Sequence, residues 1–371
     1  MTESTDIFVI GGGPAGLAMA ISARQQGFRV VVADGAEAPI DKACGEGLLP
    51  DGVAALERLG VQIPHLDGLP FRGIRFLGSD LSAEAEFSGR AFGLAVRRTT
   101  LHRILMERAA TDGAELWWRT PVLGIDGDSV RLSNGCVRAH WIIGADGSTS
   151  RVRRWAGLDR GPKPRLRYAF RRHYRVRPWT DHMEVYWGRD CQGYATAVNP
   201  EQVCVALASE NPALRLEDGL KSLPALRARL EGAEAISAER GCLTGNRRYN
   251  RLSRGNVVLI GDASGTVDAI TGEGLGLAFS QAVFLADCLR TGDLQRYKRE
   301  HRRLALRPSM MARLMLTLDR KPRLQRRTLQ VFQKRPQIFE RLLELHVGAR
   351  SPFDVALDGL TLGWGLLTTA P

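Results

Sequence analysis

At 371 residues, 44% hydrophobic and 25% charged, the chain has the length of two lobes and the composition of an ordinary globular protein. Its six cysteines (Cys44, Cys136, Cys191, Cys204, Cys242 and Cys288) lack C-x-x-C spacing, so neither a zinc module nor a disulfide scaffold is expected, and no apolar run reaches the roughly 20 residues of a membrane span. The net charge of +12 gathers in 151–177 and 298–335 without any nucleic-acid-binding module by spacing, leaving a solvated face or contact with an acidic partner or anionic membrane.

In chain order, an apolar strand at 6–10 runs into Gly11-Gly12-Gly13-Pro14-Ala15-Gly16, spaced G-x-G-x-x-G, and then into a helix over 17–26 that ends at Gly27. This order suits a dinucleotide pyrophosphate. Gly11 permits the tight turn, Gly13 lets backbone approach the phosphates, and Gly16 lets helix and strand pack closely. The helix N-terminus favours the anion. A second apolar strand, 30–33, ends in Asp34, placed for an adenosine ribose hydroxyl.

A loop over 35–50 holds Lys42-Ala43-Cys44-Gly45-Glu46-Gly47, followed by a helix over 51–59 and short strands at 72–78 and 83–88. Arg98 opens a helix to 110, with Thr99 or Thr100 as its cap; its guanidinium suits a phosphate. Further strands at 115–118, 130–132 and 140–143 lead to Gly144-Ala145-Asp146-Gly147. From 167 the apolar period becomes two, predicting an antiparallel sheet with one buried face. An apolar strand at 256–260 then leads to Gly261-Asp262-Ala263, Thr271-Gly272-Glu273-Gly274 and a helix over 274–289. Beyond 293 the pattern is helical, interrupted at Pro308, Pro322, Pro336 and Pro352.

G-x-G-x-x-G near the start, a strand-end acid, R-x-x-L at Arg98, G-A-D-G-x-x-S-x-V-R from Gly144, and the later Gly261-Asp262-Ala263 together resemble the para-hydroxybenzoate hydroxylase-like flavoproteins. The resemblance covers residues 5 to about 290 and includes aromatic monooxygenases, halogenases and geranylgeranyl-reductase-like enzymes. It implies an α/β fold: a Rossmann-like (GR2-type) FAD-binding domain with an inserted antiparallel β-sheet substrate domain and a C-terminal helical tail. The expected FAD-binding domain is discontinuous (1–70, 95–160 and 250–295), with the substrate sheet in 71–94 and 161–249 and the helical region in 296–371. The resemblance places Gly11, Gly13, Pro14, Ala15, Gly16, Asp34 and Arg98 on the adenylate and pyrophosphate side. Lys42, Cys44, Gly45, Asp146, Gly261, Asp262, Gly272 and Gly274 fall on the flavin side.

The expected reaction is hydroxylation of a hydrophobic aromatic or polyketide-type molecule of secondary metabolism, using NAD(P)H and O₂. No second G-x-G-x-x-G follows a strand; that absence suits the resemblance to the hydroxylases, which implies an NAD(P)H that approaches transiently. The alternative is reduction of a C=C bond in an isoprenoid or lipid. The C-G-x-G loop and T-G-E-G turn suit that branch, but its aromatic-x-Trp and G-x-G pattern is missing around Gly193-Tyr194-Ala195-Thr196-Ala197-Val198. A halogenase lacks its W-x-W-x-I-P string here, and a non-catalytic flavin-binding protein is the remaining reading. Cys44, Gly272 and Gly274 are the candidates for the reaction centre. Cys44 is either a packing residue or a thiol beside the flavin. His102 is expected at the helix surface or on the cofactor loop, His173 and His182 toward substrate or solvent, and the aromatics Tyr168, Tyr174, Tyr186, Trp187 and Tyr194 mostly in the core. No histidine spacing suggests a metal, and no nucleic acid is expected as a partner. With no signal segment, a cytoplasmic location is expected; the basic, leucine- and methionine-rich tail is read either as packed helices or as a peripheral membrane contact.

Overall fold

The computed structural model describes residues 4–161 and 165–350; the predicted break at Pro352 lies outside them. One sheet is built on the parallel strands Val257–Leu259, Gly135–Gly144, Ser4–Ile10, Val30–Ala33 and Glu115–Trp117, side by side in that order. Ile7, Phe8, Val9 and Ile10 are all buried because both faces of this strand are covered, which is why the run is apolar without alternation. Helix α1 (Pro14–Gln25) packs its Leu17 and Ile21 into the same core. Helices α2 (Pro50–Arg58) and α3 (Arg98–Thr111) follow; Arg97, not a threonine, occupies the N-cap position of α3, with no side-chain cap. A short helix α4 (Arg151–Trp155) is capped by Ser150.

The second sheet takes the order Glu234–Ala235, Arg167–Arg175, Gln202–Ser209, Cys191–Asn199, His182–Trp187, Gly73–Leu77 and Ser82–Glu86. Its pairings are antiparallel except between Gly73–Leu77 and His182–Trp187, which run parallel. The expected purely antiparallel sheet is therefore mixed, because Gly73–Leu77 reaches it from the other side of the long nucleotide-lobe insertion. Gly47–Leu48, Leu69–Phe71 and Gly93–Ala95 form a separate small sheet. Helices α5 (Leu216–Leu220) and α6 (Pro224–Arg229) cover one face of the mixed sheet.

The long helix α7 (Gly274–Thr291) lies in the core of the nucleotide lobe, with Phe279 and Leu285 fully buried. Three helices complete the described chain: α8 (Leu294–Asp319), α9 (Pro322–Lys334) and α10 (Pro336–His346). Pro322 and Pro336 start helices, where a missing N–H costs nothing. Pro308 was expected to end one, yet α8 runs through it. Burial of Tyr297, Met311, Met315 and Leu318 along the inner face outweighs the local cost of about 3 kcal/mol. Phe332 stacks on Phe339 at 4.7 Å, Phe339 on Phe76 at 5.0 Å, and Phe76 on Trp187 at 4.7 Å, so α9 and α10 close over the mixed sheet.

One buried ion pair joins sheet and lobe. Arg167 Nη1 donates to Asp268 Oδ1 at 2.9 Å, with both side chains 2% exposed. Asp268 also accepts from Ile270 N at 3.1 Å, fixing the approach to the 271–274 turn. Removing one partner strands a buried charge. Asp268→Ala is therefore expected to cost about 3 kcal/mol by urea unfolding, at the low end for such pairs because Asp319 stays 3.6 Å from Arg167.

Candidate functional site

The glycine turn divides by function. Gly11 has φ +110°, and a Cβ there would lie 2.6 Å from the Ala145 carbonyl oxygen; a Cβ on Gly16 would lie 1.9 Å from the Gly11 oxygen. These two make the turn tight and face away from the cavity. Gly13 has open space where a side chain would be, and with Pro14 and Ala15 it lines a cavity of about 580 Å³. Asp34 receives Gly12 N at 2.7 Å and Ala36 N at 2.8 Å, so its carboxylate orders the glycine turn while it lines the cavity. His102 is fully buried, not at the helix surface, and its Nε2 donates to the Gly12 carbonyl at 2.8 Å. Burial holds that imidazole below its ordinary range, and the nearby Arg98 charge adds to this.

The loop from Lys42 to Gly47 forms one wall. Lys42, Cys44 and Gly45 line the cavity. Glu46 holds φ +60°, an uncommon conformation for a residue with a side chain. Its Oε1 accepts from Arg98 N at 2.9 Å and its Oε2 pairs with His173 Nε2 at 2.7 Å; both side chains are essentially unexposed. Arg171 donates to His173 Nδ1 at 3.2 Å, which leaves Nε2 as the donor toward Glu46. His173 thus faces neither substrate nor solvent, and His182, also buried, bonds Asp181 at 2.8 Å. Cys204 Sγ lies with Glu46 and His173 in a cluster of metal-ligand type. Its atoms are already engaged: the Cys204 thiol donates to the Cys44 carbonyl at 3.7 Å. Burial pushes the Cys44 thiol up, so it keeps its proton at neutral pH. Arg98, only 9% exposed, lines the cavity, and its Nε has no hydrogen-bond partner.

Asp146 lines the cavity, but its carboxylate is spent on the start of α4, accepting from Ser150 Oγ at 2.5 Å, Arg151 N at 2.7 Å and Val152 N at 3.1 Å. Gly261 lies behind the wall with φ +58°; a Cβ there would come 2.7 Å from the Ala15 Cβ. Asp262 lines the cavity, half exposed, 3.8 Å from Lys42 Nζ. Gly272, at φ +70°, and Gly274 also line it, with open space at both Cβ positions. Among the sequence-derived candidates, then, Gly11, Gly16 and Gly261 shape the walls from behind, and the others meet at one cavity.

This geometry fits FAD. Gly13, Gly272 and Gly274 leave backbone bare where a flat or phosphate-bearing group approaches. Arg98 supplies an unpartnered buried N–H for an anion, and α7 points its N-terminus at the cavity wall. The cavity's other half is apolar, lined by Phe76, Trp187, Met315, Leu318, Phe332 and Phe339.

The class of protein these features define is a FAD-dependent oxidoreductase. A family model described as an FAD binding domain matches residues 4–193, and the chain belongs to that family. It is 30% identical over 364 residues to a menaquinone reductase of Mycolicibacterium smegmatis, covering 86% of each chain. Its fold is similar to that of a geranylgeranyl bacteriochlorophyll reductase-like protein from Thermoplasma acidophilum (TM-score 0.73, 22% identity, 85% of this chain and 88% of that one). It is also similar to OxyS anhydrotetracycline hydroxylase from Streptomyces rimosus (TM-score 0.71, 24% identity, 93% and 76%).

The contact between Gly16 and the Gly11 oxygen leaves no room for a methyl group. Overpacking of this kind costs about 1–3 kcal/mol. Gly16→Ala is expected to weaken FAD binding by about 10- to 100-fold in fluorescence titration of the apoprotein, without loss of the folded state.

Proposed function

We propose that the protein reduces a carbon–carbon double bond in an isoprenoid-bearing, membrane-derived acceptor, with NAD(P)H as the external reductant. The observation that carries this reading is the apolar half of the cavity, which continues from the residues around the FAD site into a lining of aromatic and methionine side chains from the mixed sheet and α8–α10. A prenyl chain has no polar group to satisfy, and such a lining removes it from water at about 25 cal/mol per Å². The menaquinone reductase relative, aligned over most of both chains, supports the same class of substrate. Hydroxylation, the first expectation from sequence, is the competing outcome; the likeness to a hydroxylase at 24% identity speaks to fold alone.

FAD, when bound and reduced, supplies hydride. The chain's own residues place the acceptor, keep water out and supply the proton. Cys44 stands at the cavity with its thiol un-ionised. In this reading Cys44 would hand its Sγ proton to one alkene carbon, the other taking the hydride that FAD would supply, and the thiolate would regain a proton from solvent. General-acid contributions are about 10²- to 10⁴-fold. Cys44→Ala is expected to lower kcat within that range with FAD still bound. Mass spectrometry of products from prenylated quinones and phenolic compounds, with and without O₂, separates the reactions. The reading requires a gain of two hydrogens in the absence of O₂; a product gaining one oxygen, formed only in air, contradicts it.

The charge pattern supports contact with a lipid surface. Residues 294–350 carry 16 Lys and Arg against four Asp and Glu, equal to the +12 excess of the whole chain. On the outward side of α8, Leu306 is 63% and Met310 41% exposed, flanked by exposed Arg302, Arg303 and Arg313. Among the described residues no helix is long and apolar enough to cross a membrane. A basic helix with two protruding apolar side chains fits an anionic bilayer surface, at about 1 kcal/mol per basic residue near the lipid. Co-sedimentation with anionic vesicles is expected at low salt, weakened in Leu306→Glu/Met310→Glu; failure to sediment with them at low salt removes this part of the proposal.

A further inference from the structure

The 271–274 turn is held from behind by a buried cluster with no role in the chemistry above. Glu273 sits at the N-cap position of α7 with its side chain 2% exposed. Thr271, Gly272, Gly274 and His346 line the cavity, while the Glu273 carboxyl turns to the opposite side. Three elements bring charged or titratable groups to it: Asp51 from α2, Arg307 from α8 and His346 from α10. Arg307 pairs directly with Asp51 and stands 3.5 Å from Glu273 Oε1, so a single guanidinium faces two carboxyls.

Hydrogen-bond accounting fixes the protons. His346 Nε2 contacts the Thr271 carbonyl at 3.1 Å, and a carbonyl only accepts, so Nε2 carries the hydrogen. The ring is buried beside Arg307, and burial brings its pKa down to about 4, so Nδ1 is a bare lone pair. That atom lies 3.5 Å from Glu273 Oε2, and with the ring in this state neither atom has a hydrogen-bond partner. Two buried acceptors facing each other leave both unsatisfied, which is costly; a proton on the carboxyl resolves both. Burial, and secondarily Asp51, push Glu273 up to about 8, consistent with that proton.

We propose that Glu273 stands un-ionised as a hydrogen-bond donor to His346, and that this neutral acid–imidazole pair latches α10 to the flavin-side turn, so that one proton sets the charge behind the bound cofactor. The latch spans Gly272, at φ +70°, gripping the Thr271 carbonyl on one side and the Glu273 carboxyl on the other. Both are positioning residues. Loss of the Glu273 proton breaks the hydrogen bond to His346 and places a negative charge at the start of α7, where it opposes the build-up of negative charge on a reduced flavin. The inference rests on FAD binding at this turn and not on which substrate is reduced.

The test is the midpoint potential of the FAD-reconstituted protein, measured by dye equilibration from neutral to alkaline pH. The wild type is expected to show a downward break near pH 8, beyond the slope of the flavin itself. Glu273→Gln keeps a neutral N–H donor for His346 and cannot ionise, so its break is expected to vanish while its neutral-pH potential stays near that of the wild type. The sign for stability agrees. An acid held above its ordinary value near 4.5 contributes stability below that value, and the contribution is lost as pH rises through about 8. The wild-type melting temperature is thus expected to fall across this window and to fall less in the variant. A break that persists in Glu273→Gln, or a wild-type potential with no break, overturns the latch; should the variant fail to fold, the wild-type curve alone decides. A protein that binds no FAD at all would instead count against the cofactor site.

Discussion

Glu46 and His173 meet at 2.7 Å in a fully buried hydrogen bond across the seam between the nucleotide-binding lobe and the mixed sheet, and the cavity depends on that seam staying closed. Two further links cross it. Arg171 of the sheet bonds Asp41 of the wall loop, and Arg167 bonds Asp268 ahead of the 271–274 turn. Each joins a lobe segment that touches the cavity to a sheet strand that carries the apolar lining. Buried polar pairs of this kind add little net stability over an apolar packing, yet they are costly to break singly. They therefore suit a seam that must keep one register between a cofactor face and a substrate face.

Across that seam the cavity changes character. Bare glycine backbone, Arg98 and the start of α7 form an end that suits a dinucleotide, and stacked aromatics with methionines form an apolar end. The segment that supplies the apolar roof, residues 294–350, also carries a charge excess equal to that of the whole chain, with Arg302, Arg303 and Arg313 among its exposed side chains. One helical layer thus presents an apolar face inward and exposed basic residues outward, the arrangement on which the proposed lipid-surface contact rests.

Much of this was readable from sequence where the signal was local. The apolar run Ile7–Ile10, the glycines after it and the period-two stretch from Arg167 each announce their structure within a few residues. Pro308 misled, because a local penalty was weighed without the buried face of α8 that overrides it. His173 misled for a different reason. Expected toward substrate or solvent, it is buried against Glu46, 127 residues away in the chain. No spacing rule reports such a pair. A faint signal existed in Glu46 itself, a charged residue between Gly45 and Gly47 where the chain turns through positive φ. Likewise T-G-E-G marked a turn, but what Glu273 touches comes from three separate stretches at Asp51, Arg307 and His346.

The central claim is that the apolar half of the cavity delivers an alkene to reduced flavin. A single anaerobic turnover tests it most directly. Protein loaded with FAD and reduced chemically is mixed with a prenylated quinone in the absence of O₂, and the flavin absorbance is followed. The account predicts reoxidation in step with loss of one double bond from the acceptor. Flavin that stays reduced until O₂ is admitted would contradict it.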